Sequence, residues 1–216
     1  MKLVVISDTH TYKFPVPDGD VLIHCGDLTY RGRVDESEDS FEWLHELPHR
    51  HKLIIAGNHE LGWEADLQRN VYRPIPIHKP HVFDKYPGLT YLHDSGVEID
   101  TIKFWGSPYQ PWFYDWAFQK QRGEELRVQW EKIPEGTDVL ITHGPPKGHG
   151  DMNQFDERFG DEDLLNRVLK VKPRYHLYGH AHHGYGRYEQ DGIQFINAAS
   201  CNEQYQRVNP PVEIEL

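Results

Sequence analysis

Short apolar runs alternate along this chain with amphipathic segments. Residues 3–6, 20–25, 53–56, 138–142 and 175–178 are mostly β-branched and aliphatic with little polar interruption, the pattern of strands covered on both faces. Between them lie helical spacings. Phe41, Leu44 and Leu47 recur at three-residue steps behind an acidic turn at Glu36 and stop at Pro48, which predicts a surface helix. Leu126, Trp130 and Ile133 share one face of 123–133, ended by Pro134, and Asp161 caps a helix with the stripe Leu164, Leu165, Val168 and Leu169. The first sixty residues therefore read strand, loop, strand, helix, strand, the order of an α/β sheet fold.

Residues 70–120 hold several prolines, β-like runs at 90–92 and 102–105, and an aromatic cluster over 105–118. They predict a second sheet with irregular loops. The tail predicts strands at 192–196 and 212–216 around a loop at 197–211. With no internal repeat, low-complexity tract or linker, residues 1–216 are expected to form one domain.

What stands at the ends of the apolar runs carries the chemistry. Five runs end in Asp8 and His10, in Asp27, in Asn58 and His59, in His143, and in His180 and His182. In open α/β sheets the ligand crevice lies at the carboxyl ends of the strands. Carboxylate and neutral imidazole ligate zinc, manganese or iron, and the alternation of His180 and His182 can aim both rings into one site. About seven ligands exceed the needs of one tetrahedral zinc and match two ions sharing a bridging carboxylate. Such a pair holds a phosphate between the ions and lowers the pKa of a bridging water, so the implied reaction is phosphoester hydrolysis.

Charge narrows the partners. Acidic residues outnumber basic ones 34 to 23, for a formal charge of −11, and no basic block accumulates, so long nucleic acid is not expected. A small phosphorylated ligand stays compatible, because a bound dication inverts the local field. Cys25 and Cys201 form no paired motif and read as small buried residues. The apolar start of the chain is too short for a signal peptide or a membrane span, so the expectation is a cytoplasmic protein with no membrane partner. Oligomeric state leaves no readable signal.

Other polar and aromatic residues are assigned by position. His45, His49 and His51 at a polar helix end, and His78, His81 and His93 in loops, are expected to be surface groups. His149 and Asp151 follow His143 closely enough to support the ligands or touch substrate. Arg31 can reach a phosphate from the loop of Asp27. Tyr109, Trp112, Phe113, Tyr114 and Trp116 either fill the core or stack on a base.

Asp8-x-His10, Gly26-Asp27, Gly57-Asn58-His59-Glu60, His143 and Gly179-His180-x-His182 together resemble the calcineurin-like metallophosphoesterase pattern, spread over nearly the whole chain. Within that family the chain is most similar to the branch of metallophosphoesterase-domain-containing proteins, which are like class III cyclic nucleotide phosphodiesterases. The stretches 106–113, 142–146, 184–186 and 208–211 carry this closer likeness. The resemblance implies a four-layer α/β/β/α sandwich and a phosphodiesterase acting on nucleotides or small esters, a 2′,3′-cyclic phosphate included, by attack of a metal-bridging hydroxide. A phosphomonoesterase and a nucleotide-binding module with little turnover are the alternatives.

Carried over by position, the resemblance puts Asp8, His10, Asp27 and His182 on one ion. It puts Asp27, Asn58, His143 and His180 on the other, with Asp27 as the bridge. His59, beside Asn58, would contact the phosphate and protonate the leaving group, the work of an imidazole. The cofactor implied is two divalent ions, manganese favoured over iron, zinc, cobalt or nickel. Some members of the branch have glycine where His180 stands, so its presence here predicts two filled sites. His183, where relatives often have glutamate, is a departure without a predicted effect.

Overall fold

A computed structural model describes residues 1–64 and 85–216. In chain order the strands are β1 (Lys2–Ile6), β2 (Val21–His24), β3 (His51–Ile54), β4 (Leu89–Tyr91), β5 (Ser95–Ile99), β6 (Ile102–Ser107), β7 (Gln110–Pro111), β8 (Gln119–Lys120), β9 (Val139–Thr142), β10 (Tyr175–Tyr178), β11 (Gly186–Gln190), β12 (Ile193–Asn197) and β13 (Val212–Glu215). The helices are α1 (Val34–Glu46), α2 (Glu124–Glu131) and α3 (Glu162–Val171).

Two mixed sheets form, one in the order β13-β1-β2-β3-β4 and the other β11-β12-β10-β9-β6-β5. The inner strands of each run parallel, and the antiparallel strands β13, β11 and β5 sit at the edges. A bridge between Ser7 and Ala199 joins the sheets beside Asp8.

The apolar runs face two ways, which explains their lack of alternation. Leu3, Val5, Ile23 and Leu53 of the first sheet pack on Phe104, Ile141, Leu177 and Ile196 of the second. The opposite faces take the helices. Val4, Ile6, Leu22 and Ile54 cover Phe41 and Leu44 of α1, while Leu140, Tyr178 and Phe195 cover Trp130 of α2 with Leu164 and Val168 of α3. The layers are thus α/β/β/α, as expected.

Differences from the expected boundaries have local causes. The α1 helix begins at Val34 because Glu36 stands three residues after Arg33 and accepts its N–H at 3.4 Å, closing the first turn from inside. The third strand starts at His51, whose N–H reaches Asp20 O at 3.3 Å. Ile55 and Ala56 continue it as a buried lead into the site. Strands β5 and β11 were not expected. Their edge positions leave half of each segment in water, so glycine, glutamate and arginine dilute the apolar signal. Asp161 caps α3 as expected, accepting from Leu164 N–H at 2.7 Å, and also takes the Trp130 Nε1–H at 2.8 Å, tying α2 to α3.

Candidate metal centre

The carboxyl ends of β1, β2 and β3 meet those of β9 and β10 along one rim of the sandwich. There the backbone leaves regular geometry. Asp8, His10, Asp27 and His180 all have positive φ, at 52°, 42°, 55° and 65°, a conformation uncommon outside glycine and most tolerated by Asp, Asn and His. The turns are held by main-chain bonds: Asp8 N–H to Gly26 O at 3.0 Å, His10 N–H to Asp27 O at 3.1 Å and Gly179 N–H to His143 O at 3.0 Å. The Asp8 carboxylate in turn accepts His180 N–H at 2.9 Å.

Close approach requires two of the glycines. A Cβ on Gly57 would overlap the Asp27 carboxylate and come within 2.6 Å of the His143 ring, and one on Gly179 would overlap Asp8 and Ser7.

All seven residues expected as metal ligands converge. Asp8, His10 and His182 bring ligand atoms together at one point, and Asp27, His143 and His180 do so at a second. His182 Nε2 lies 3.2 Å from Asp8 Oδ1 and 3.3 Å from His10 Nε2. His143 Nε2 lies 3.0 Å from Asn58 Oδ1 and 3.3 Å from Asp27 Oδ2. Asp27 stands between the groups, since it also clusters with His10 and His59.

The ring orientations follow from the other nitrogens. His10 Nδ1 faces Thr29 O at 3.3 Å, His143 Nδ1 faces Cys25 O at 2.8 Å, and His182 Nδ1 faces Asn202 O at 2.8 Å. A carbonyl only accepts, so each Nδ1 carries hydrogen and each Nε2 is left to point its lone pair inward. Two such lone pairs 3.3 Å apart, on His10 and His182, repel unless a cation or a proton lies between them. This donor set fits a pair of divalent ions.

Charge tells the same story. Against the cost of burial, the hydrogen bond and charge of His182 hold the Asp8 carboxyl well below its ordinary range, and His143 with His59 does so for Asp27. The carboxylates overcome burial at His143 and His182 and raise both to about 9. Burial wins at His10 and His180, lowered to about 4 and about 3.

His59 converges with His10 and Asp27, but its second ring nitrogen and its ring have partners of their own. Its Nδ1 donates to Tyr30 O at 2.9 Å, its Nε2 is 4.0 Å from Asp27 Oδ2, and its ring lies 4.6 Å from Trp116. Arg31 lies over that indole at 4.7 Å. Its guanidinium thus belongs to the ring stack beside His59.

Sequence reasoning passed over Glu60. Its buried carboxylate accepts four hydrogen bonds, from Asp27 N–H at 2.9 Å, Thr29 N–H at 2.9 Å, Thr29 Oγ1–H at 2.8 Å and Gly57 N–H at 2.6 Å. Burial and the Asp27 charge raise its carboxyl to about 7, against the pull of those donors. It clamps the loop of Asp27 to the loop of Asn58. The signal was present in the tetrapeptide Gly57-Asn58-His59-Glu60, whose last residue was given no role. The Asn202 carbonyl was also missed, because a main-chain acceptor has no sequence signature.

A cavity of about 420 Å³ opens over Asp27, Asn58, His59, His180 and His182, with Trp112, Phe113, Trp116, Phe159 and Tyr205 on its walls. The 105–118 aromatics therefore divide. Tyr109 and Phe118 pack inward around His93, Trp112, Phe113 and Trp116 face the cavity, and Tyr114 is exposed.

His149 and Asp151 are absent from its lining. His149 stacks on Phe195 at 4.0 Å, and Asp151 pairs with Arg158 at 2.6 Å and accepts Gly148 N–H at 2.9 Å. Both shape the loop that presents Asn153 and Phe159. His183 is exposed.

The surface reading of the remaining histidines is corrected at His49, which is 2% exposed with the 15–19 loop lying against it. His45, His51 and His93 are half-buried, and His78 and His81 lie outside the described residues. Both cysteines are free and buried, as expected.

Residues 1–184 match the family model for the calcineurin-like phosphoesterase. The chain is 43% identical over its full length to metallophosphoesterase domain-containing protein 1 of Homo sapiens, covering 71% of that protein. It is 41% identical to a UPF0046 protein of Caenorhabditis elegans, with 98% of this chain and 74% of that one aligned. Among solved structures, the fold is shared with phosphopantetheinyl hydrolase of Mycobacterium tuberculosis at TM-score 0.64, with 16% identity over 94% of this chain and 90% of that one. Calcineurin-like phosphoesterases use a dinuclear divalent metal centre. This chain belongs to the calcineurin-like phosphoesterase family and is a metal-dependent phosphoesterase.

Proposed function

We propose that the protein is a phosphodiesterase for small, singly charged phosphodiesters carrying a planar group, nucleotides among them. The observation that carries the reading is the make-up of the cavity, with aromatic rings on its walls and convergent carboxylate, amide and imidazole groups at its floor. Among the described lining residues one side chain is a guanidinium or ammonium, Arg122, and it is bonded to Phe159 O, Gly160 O and Asp161. A doubly charged monoester would meet no spare cationic side chain there, whereas a diester carries one charge less.

Asp8, His10, Asp27 and His182 would hold one ion and Asp27, Asn58, His143 and His180 the other. Manganese is our favoured occupant, and a thiolate-free oxygen and nitrogen set also suits iron, zinc, cobalt or nickel to degrees set by availability. The chemistry a pair of divalent ions supplies is activation of a water and neutralisation of charge at phosphorus. The chain's own contribution is positional. Glu60 fixes the two loops that carry Asp27 and Asn58, and the rings on the cavity walls hold the planar part of the ester. His59 would pass a proton to the departing oxygen through Nε2.

No helix among the described residues is long and apolar enough to cross a membrane. We place the protein in the cytoplasm, acting on a small molecule rather than on long nucleic acid, in keeping with its charge of −11.

The test is turnover of bis-p-nitrophenyl phosphate against mono-p-nitrophenyl phosphate by metal-stripped protein reloaded with manganese. Preference for the diester, lost in Asp27→Asn, supports the proposal. Preference for the monoester makes the protein a phosphomonoesterase. Tight binding of AMP or GMP without turnover in any metal makes it a nucleotide-binding module.

A further inference from the structure

The loop after Ala199 enters the site from outside the 1–184 stretch matched by the family model. It is internally fixed. Asn202 Oδ1 accepts Gln204 N–H at 3.0 Å and Gln206 N–H at 2.9 Å, Asn202 N–H reaches Gln206 O at 2.9 Å, and Ser200 N–H is bonded to Ser7 O at 2.8 Å, next to Asp8. The Asn202 carbonyl orients His182 through Nδ1 at 2.8 Å.

The same loop holds Tyr205 in the left-handed region at φ 57°, an unfavourable conformation for an aromatic residue. Strain of this kind persists where the surroundings over-determine it, and here it puts the phenol in the cavity. The Tyr205 ring meets His10 edge-on at 4.7 Å, and its hydroxyl lies 3.4 Å from His59 Nε2.

The consequence is for His59. Its Nδ1–H is donated to Tyr30 O and one face lies against Trp116, which leaves Nε2 as an acceptor in the neutral ring. The nearest described polar group that can donate to that nitrogen is the Tyr205 hydroxyl, since Asp27 Oδ2 at 4.0 Å only accepts.

We propose that Tyr205 is a positioning residue for His59: its hydroxyl fixes the direction in which the imidazole presents Nε2 to the phosphoester. At 3.4 Å the bond is long, as such bonds often are before substrate tightens a site. The role rests on the phosphoesterase reading, and its test has one arm that does not.

In metal-free protein, at a pH where the spectrum itself shows an unprotonated Nε2, the ring nitrogens of His59 are observed by nitrogen NMR in wild type and Tyr205→Phe. The expected result is a shift of Nε2 toward the position of a non-bonded ring nitrogen, with Nδ1 unchanged because Tyr30 O remains. In the manganese-loaded enzyme acting on bis-p-nitrophenyl phosphate, Tyr205→Phe is expected to lower kcat about tenfold with KM changed less than about twofold. It is also expected to have no further effect in a His59→Ala background. An unmoved Nε2 resonance, or an equal loss of kcat with and without His59, overturns the proposal. Absence of turnover in wild type with any ester would defeat the phosphoesterase reading alone, and the NMR comparison would still decide the contact.

Discussion

His10 Nε2 and His182 Nε2 face each other across 3.3 Å, each with its second ring nitrogen committed to a backbone carbonyl. Without a cation the conflict is relieved by a proton, which the Asp8 carboxylate draws to His182; His143 beside Asp27 is the counterpart in the second group. Both imidazoles are raised to about 9, so near neutral pH protons stand where ions would bind. Metal must displace them. Affinity should therefore rise with pH, about tenfold per unit for each proton displaced, and level off above about pH 9. Isothermal titration of stripped protein in buffers of different ionisation enthalpy reads the proton count. Two ions per chain are expected, and one in His180→Gly.

Asp27 is the residue shared between the groups, so its loss should cost more than the loss of any one imidazole. In Asp27→Asn, metal affinity should fall on the order of a hundredfold or more and diesterase activity with it. Metal analysis after dialysis, beside the assay, checks this. Near-normal metal content with normal activity would remove Asp27 from the bridging role.

Glu60 should act on the same chemistry without touching it. In Glu60→Gln the amide NH₂ would face N–H or O–H donors in a site with four of them and no exit to water. A loss of about 2–4 kcal/mol is expected, from donors left unpaired. It would be read as a lower urea midpoint at unchanged slope, with weaker metal binding.

Gly57→Ala tests the close approach directly. Its Cβ would displace the Asp27 carboxylate and the His143 ring together, so the loop must shift. Stability should drop by about 1–3 kcal/mol, and metal affinity by about 10–100-fold. Gly192→Ala, where nothing lies within 4 Å of the new atom but φ is 80°, is the control for backbone strain alone.

Acid should unfold the protein through two histidines that hold no ligand role. His24 Nε2 on β2 lies 2.9 Å from Thr9 Oγ1, and His176 Nε2 on β10 lies 2.8 Å from Thr142 Oγ1, whose hydroxyl donates to Gly144 O at 2.9 Å; the second ring nitrogen of each is buried without a hydrogen-bond partner. Burial lowers both to about 3. The unfolded chain binds these protons near pH 6.5, so stability is lost as pH falls from about 6.5 toward 3. The slope is about 1.4 kcal/mol per pH unit for each histidine. Denaturant titrations across that window should show the slope reduced by about that amount in His176→Gln, with the wild-type slope retained in an exposed variant such as His183→Gln.

The seven convergent residues were legible because strands buried on both faces are unmistakable as apolar runs. A residue placed just past such a run must also lie at the rim of the sheet. Trp130, Leu164 and Val168 were legible as helix faces for the same reason: periodicity records which side meets a core. The edge strands β5 and β11 were not, since water on one face admits any polar residue. His49 was misread because a histidine in a polar stretch carries no mark of what folds over it.

The sequence by itself determined the buried strands, their helices, the donor set and the family, because these depend on burial and on the order of residues along single segments. The tertiary structure decided what lies between segments distant in the chain. Glu60 joins two strand ends, Asn202 turns His182, Arg31 stacks on Trp116, and Tyr205 reaches His59 across 146 residues. Those contacts depend on main-chain carbonyls and loop conformations, which neither composition nor periodicity encodes.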